Sequence, residues 1–169
     1  MPLMKLVVSF LLILISAKLF AQNNFTKELE SIIKDSTFCF KSLRGDFKEL
    51  QGTDSIFNSI IKLEGTNNND ILLSETICMY MGVIADSVKE KQGEKIVDLW
   101  RNKIYSLVSG SFRMEEIKIV KWNPAKHGWK FERRNLWIDI TLYPFKNKTS
   151  SLCFVGFSVT YLKDASKAE

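Results

Sequence analysis

The stretch KQGEKIVDLWRNKIYSLVSG, Lys91 to Gly110, is the best-formed amphipathic segment of the chain, and the reading of the fold starts from it. Ile96, Trp100, Ile104 and Leu107 recur at helical spacing, with Val97 and Val108 flanking the same stripe. Glu94, Lys95, Asp98, Arg101, Asn102 and Lys103 fill most of the remaining surface. One apolar stripe at a 3.6-residue period predicts a helix laid on a core. Gly93 stands near its start, and Gly110 just past its end is expected to take φ > 0 and close the last turn. A helix of this length draws most of its stability from packing. The strand-like segments on either side supply the sheet it needs.

Outward from that helix, Asn24 caps a first helix with Phe25, Leu29, Ile32, Ile33 and Ser36 on one face. A turn at Gly45 leads to a short strand over Asp46–Gln51, and a second strand is expected over Ile56–Glu64. Gly65 to Asp70, rich in asparagine, reads as a loop. A third strand over Glu75–Ala85 alternates Ile77, Met79, Met81 and Val83 with Cys78, Tyr80 and Ile84; both faces are apolar, so a helix competes. A short strand is expected around Glu116–Lys121, and Asn123, Pro124 and Gly128 mark a loop. Lys130–Tyr143 is the clearest strand pattern, ended by Pro144, and Ser151–Leu162 is the last. Residues 163–169 form a polar tail expected to fray. The order α-β-β-β-α-β-β predicts an α+β two-layer sandwich: an antiparallel sheet of about five strands with two helices on one face.

Residues 1–21 have the form of a secretory signal: Lys5, an apolar run from Leu6 to Ile15, then Ala17 and Ala21. The run is too short for a comfortable span of a bilayer core about 30 Å thick, so no stable membrane span is expected after cleavage. Its removal takes Lys5 and Lys18 and no acid, so the net charge of +5 falls to +3 over the 148 residues that remain. Residues 22–169 are expected to form one domain. Export to the periplasm or the medium, together with so mild a charge, argues against nucleic acid as a partner. Cys39, Cys78 and Cys153 are an odd set without CxxC spacing. They read as small buried apolar residues, one bridge among three pairings being the alternative.

The element order resembles the α/β sandwich of type III secretion chaperones, and the opening around Phe40–Gly45 resembles small exported bacterial proteins of unknown function. Neither resemblance implies particular functional residues.

Catalytic signals are sparse. His127 is the one histidine and reads as an exposed loop residue, so one chain offers no multi-histidine metal site. No nucleophile elbow, P-loop or dinucleotide-binding glycine pattern is present, and no cofactor or metal is expected. Asn67 to Asp70 lack the spacing of a calcium loop. Asp139 alternates outward on its strand and reads as solvated. The strongest functional hint is the interleaving of aromatics and cations at Trp122, Trp129, Lys130, Arg133, Arg134 and Trp137. Such a patch suits an acidic or sugar-like envelope ligand, or another protein. Tyr80, Trp137, Tyr143 and Phe154 are expected opposite the helices, as an apolar face open to a partner or to a second copy of the chain. The reading is an exported non-catalytic binding protein. A small periplasmic hydrolase or thiol-dependent enzyme is one alternative, and a structural envelope component is another.

Overall fold

A computed structural model describes residues 24–117, 125–145 and 152–163. Helix α1 covers residues 24–36. A 3-10 turn, Lys41–Leu43, leads into four strands: β1 (Arg44–Gln51), β2 (Asp54–Ser59), β3 (Asn67–Leu73) and β4 (Ile77–Lys89). Helix α2 (Glu90–Val108) follows directly, then β5 (Arg113–Glu116), β6 (His127–Arg133), β7 (Leu136–Pro144) and β8 (Leu152–Leu162). All pairings are antiparallel, in one sheet of order β1-β2-β3-β4-β8-β7-β6-β5. The α+β class and the two helices on one antiparallel sheet agree with the sequence; the sheet has eight strands rather than about five. Each half is a helix followed by a four-strand meander that starts at an edge and ends at the centre, so β4 and β8 pair along the middle.

The extra strands have local causes. Lys130–Tyr143, expected as one strand, is a hairpin of β6 and β7 turning at Arg134 and Asn135. Arg134 takes φ 53 there, a conformation usually announced by glycine or asparagine, so the turn carries no glycine signal. The expected loop at Gly65–Asp70 is partly β3: Asn68 takes φ 49 beside a register shift between Asn67 and Asp70. The asparagine run therefore encodes a bulge, not only a loop. β5 ends at Glu116, and residues 118–121 of the strand expected there lie outside the described residues, as do 1–23 and 164–169.

In α2 the buried line is Gly93, Val97, Trp100, Ile104 and Val108, while Leu107 is exposed. The stripe is thus rotated from the expected Ile96–Leu107 line. A Cβ on Gly93 would lie 2.3 Å from Leu142 Cδ1, so this glycine lets the helix approach β7 and centres the contact on its own side. Gly110 has no positive φ; the helix closes with the Ser109 amide on the Tyr105 carbonyl. Phe25 of α1 meets Trp100 edge-on at 5.4 Å, and Trp100 lies 5.9 Å from Phe157 of β8. These rings, with Tyr80, Ile138, Ile140 and Val159, fill the layer between helices and sheet.

Two cysteines expected as thiols form a disulfide, Cys39–Cys78, which fastens the segment after α1 to β4; Cys153 is free and buried. Cys39 and Phe40 both take φ above +50°, which costs non-glycine residues of order 1 kcal/mol each. They are held there by the bridge, by Phe40 in the core, and by Arg44 donating to the Cys39 carbonyl at 2.9 Å.

Candidate functional site

The sheet face away from the helices carries a groove of about 440 Å³. Antiparallel register builds it in rows. Trp137, Thr160 and Met79 stand side by side on β7, β8 and β4; Asp139, Ser158 and Met81 form the next row; Thr141, Gly156 and Val83 the third; Tyr143 and Phe154 the fourth. From Trp137 to Tyr143 the floor runs about 20 Å, at roughly 3.4 Å per strand residue. The third row dips because Gly156 has no side chain, and the Tyr143 ring stands 3.5 Å from where its Cβ would be. Tyr143 and Phe154 stack at 5.2 Å and close one end. Apolar walls around a few polar groups are the usual make-up of a small-molecule site.

Asp139 is the notable polar group. Expected as a solvated strand residue, it lies instead between Trp137 and Thr141 on the groove floor, among Met81 and the aromatic walls. Burial pushes its carboxyl up to about 7; Lys130 and a hydrogen bond with Ser158 pull the other way, and Glu132 and Glu115 add to the rise. A carboxyl poised near neutrality in a cleft marks a functional candidate. Thr160 Oγ1, one row away, is buried without a hydrogen-bond partner among the described residues. Burial also raises the Tyr143 phenol, and the Asp139 charge adds to the effect.

The expected aromatic–basic patch is divided by the strands that carry it. Trp137 and Tyr143 lie in the groove. Lys130 stands at its rim, its ammonium 5.1 Å from the Trp137 ring centre and 3.2 Å from Glu132. Trp129 points to the helix side, where its indole donates to Asp98 at 3.2 Å and Arg101 lies over its ring. Arg133 stacks on Phe112, also on that side, and Arg134 forms the hairpin turn. Alternation across β6 sends Trp129 and Lys130 to opposite faces, so one continuous surface of all these residues does not form. Trp122 lies outside the described residues.

Tyr80 does not face outward. It is fully buried against Phe40 and Phe157, its hydroxyl donating to Asn69 Oδ1 at 2.5 Å and accepting from the Leu63 amide at 3.1 Å. Burial pushes its phenol up to about 12. β4 is apolar on both sides, so alternation alone could not say which side met the helices; its methionine side faces the groove. His127 opens β6 rather than sitting on an open loop, with Asp98 at 3.4 Å and Glu116 at 3.7 Å. The Asp98 carboxylate also takes the Trp129 indole and the Arg101 guanidinium, which ties α2 to the β5–β6 edge. Among the described residues no three His, Cys, Asp or Glu side chains gather as a metal site.

Sequence reasoning named Trp137 and Tyr143 but missed Asp139, Thr160 and the two methionines. The available signal was the alternation of Trp137, Asp139, Thr141 and Tyr143 on one strand face. No family model matches the chain, no curated protein matches it, and no solved structure matches its fold.

Proposed function

We propose that this chain is an exported, non-catalytic binding protein whose ligand lies along the outer groove of the sheet. The observation that carries the reading is the row-built floor, with Met79, Met81, Trp137 and Tyr143 around one poised carboxyl. Methionine side chains adapt to varied apolar shapes, and fixed aromatic rings give extent at low entropic cost. Export is supported by the Cys39–Cys78 bridge, since disulfides persist in oxidising compartments. It also agrees with the described residues having no helix long and apolar enough to cross a membrane. The divided basic patch weighs against an acidic ligand held by Trp129, Arg133 and Arg134 together.

Nile red, a neutral apolar dye, tests the site. Its emission should rise and shift to the blue with the wild-type protein. Gly156→Leu, which puts a side chain into the groove, should abolish the change at an unaltered melting temperature. Leu99→Ala, at an exposed apolar residue of α2, should leave it intact. Undiminished dye binding by Gly156→Leu would remove the groove from consideration.

A second reading rests on Asp139 alone: a carboxyl near neutrality suits general acid–base work. It requires turnover lost in Asp139→Asn, whereas a binding protein shows only altered affinity.

A further inference from the structure

We infer that the groove is built for an elongated apolar molecule bearing a protonated primary amine, with the ammonium seated on Asp139. The inference rests on the groove being the binding site and adds the chemistry of what it holds.

Charge is the first ground. The chain is basic overall, yet among the described residues the groove lining contains no lysine or arginine and two acids, Asp70 and Asp139. Asp70 is already matched, its carboxylate 2.7 Å from the Lys48 ammonium. Among the described residues Asp139 is not matched in that way. Lys130, the cation that faces it across β6, is held by Glu132 at 3.2 Å and Glu115 at 3.9 Å.

Hydrogen-bond capacity is the second. An ammonium brings three donors and no acceptor. Asp139 and the Ser158 hydroxyl stand in one row, and the buried Thr160 hydroxyl, unpartnered among the described residues, stands in the next. A buried hydroxyl without a partner is destabilising, and an ammonium at this point would relieve it by donating to its oxygen.

The third ground is the wall. The Trp137 ring already takes the Lys130 ammonium at 5.1 Å, so a cation–π contact is part of this wall's chemistry. Beyond Asp139, the dip over Gly156 and the Tyr143–Phe154 stack offer an apolar bed for the rest of the molecule.

Proton balance follows. Near neutral pH part of the protein carries Asp139 as the acid. Seating an ammonium favours the carboxylate, so the carboxyl proton leaves to solvent as the ion pair forms. Lys130 and Ser158 already favour the carboxylate, Glu132 and Glu115 oppose it, and Tyr143 lies on the same strand face. Amine affinity should therefore fall as the medium becomes acid.

The test uses octylammonium, 1-octanol and octanoate, which share a chain and differ in the head. Binding is followed by the methyl resonances of Met79 and Met81 in labelled protein. At pH 8.5 octylammonium should move both signals and bind at least about tenfold more tightly than 1-octanol, as expected for a charge-assisted hydrogen bond. Between pH 8.5 and 5.5 that affinity should fall by roughly an order of magnitude, following a carboxyl near 7, while 1-octanol binding stays constant. Asp139→Asn should bring octylammonium down to the level of 1-octanol and abolish the pH dependence. Equal binding of all three probes overturns the amine inference and leaves the groove as a site. Tighter binding of octanoate overturns it in favour of anions. Unmoved methionine signals with every probe overturn both the inference and the groove.

Discussion

Asp139 shows how one residue links function to stability. Its carboxyl is raised to about 7 in the folded chain, against about 3.9 for an ordinary aspartate. The folded state therefore holds the proton more tightly than the unfolded state, and stability declines as pH rises from about 4 through 7. Below that window Asp139 is neutral in both states and costs nothing by this route. Above it, the buried charge costs a few kcal/mol at most, a ceiling set by about three pH units at 1.4 kcal/mol each. Asp139→Asn should thus melt higher than wild type at pH 8.5, with the gap closing near pH 4.5; calorimetry at both values reads it. A gap independent of pH would show that the carboxyl is not raised. Gly128 gives a steric counterpart. A Cβ there would lie 2.8 Å from the Ile140 carbonyl oxygen and 3.0 Å from Ile117 Cδ1. Backbone cannot step aside as a side chain can, so Gly128→Ala should lose about 1–3 kcal/mol in urea unfolding.

Among the elements, α1 depends on two attachments. Its Phe25 and Ile32 are buried in the core, and the Cys39–Cys78 bridge ties its trailing end to β4. The bridge spans 39 residues, which the chain-entropy model converts to about 4 kcal/mol, with 2–4 typical of measured bridges. Replacing both cysteines with alanine should lower unfolding free energy by that order, measured in urea. Relaxation of the left-handed pair Cys39–Phe40 in that variant returns its strain, so the loss should fall below the chain-entropy figure if the pair relaxes. β1 and β5 blunt the sheet's edges in different ways: β5 is four residues with three charges, and β1 is bulged twice. Phe47 and Leu50 are exposed on β1, where Phe47 meets Phe57 at 5.7 Å.

At the scale of the molecule, the two helix–meander halves meet through β4 and β8, which pair from Ile77–Leu162 to Lys89–Leu152. The same strands form the floor of the groove and the roof of the core. Tyr80 and Val159 look to the helices, while Met81 and Ser158 look out. Amide hydrogen exchange should accordingly be slowest in β4, β8 and β7 and fastest in β1 and β5, because central ladders open only with global unfolding. Slow exchange in β1 would show that the edge is covered in solution. Binding in the groove should slow β4, β7 and β8 further and leave β1 unchanged.

The sequence by itself determined the class: two amphipathic helices, alternating strands, antiparallel order and helices on one face. Those features are local periodicities, and period follows directly from backbone geometry. It also showed Trp137 and Tyr143 on one face of one strand. Only the tertiary structure decided strand number, because the Arg134 turn places a non-glycine residue in a left-handed conformation that local propensity does not announce, and the asparagine run around Asn68 suits a loop as well as a bulge. It decided which side of β4 met the helices, because both sides are apolar and only packing against Phe40, Phe157 and the Asn69 side chain selects Tyr80. It decided the Cys39–Cys78 pairing and the raised carboxyl of Asp139 for the same reason. Proximity across 39 residues and burial among three strands belong to the assembled sheet, not to any window of the chain.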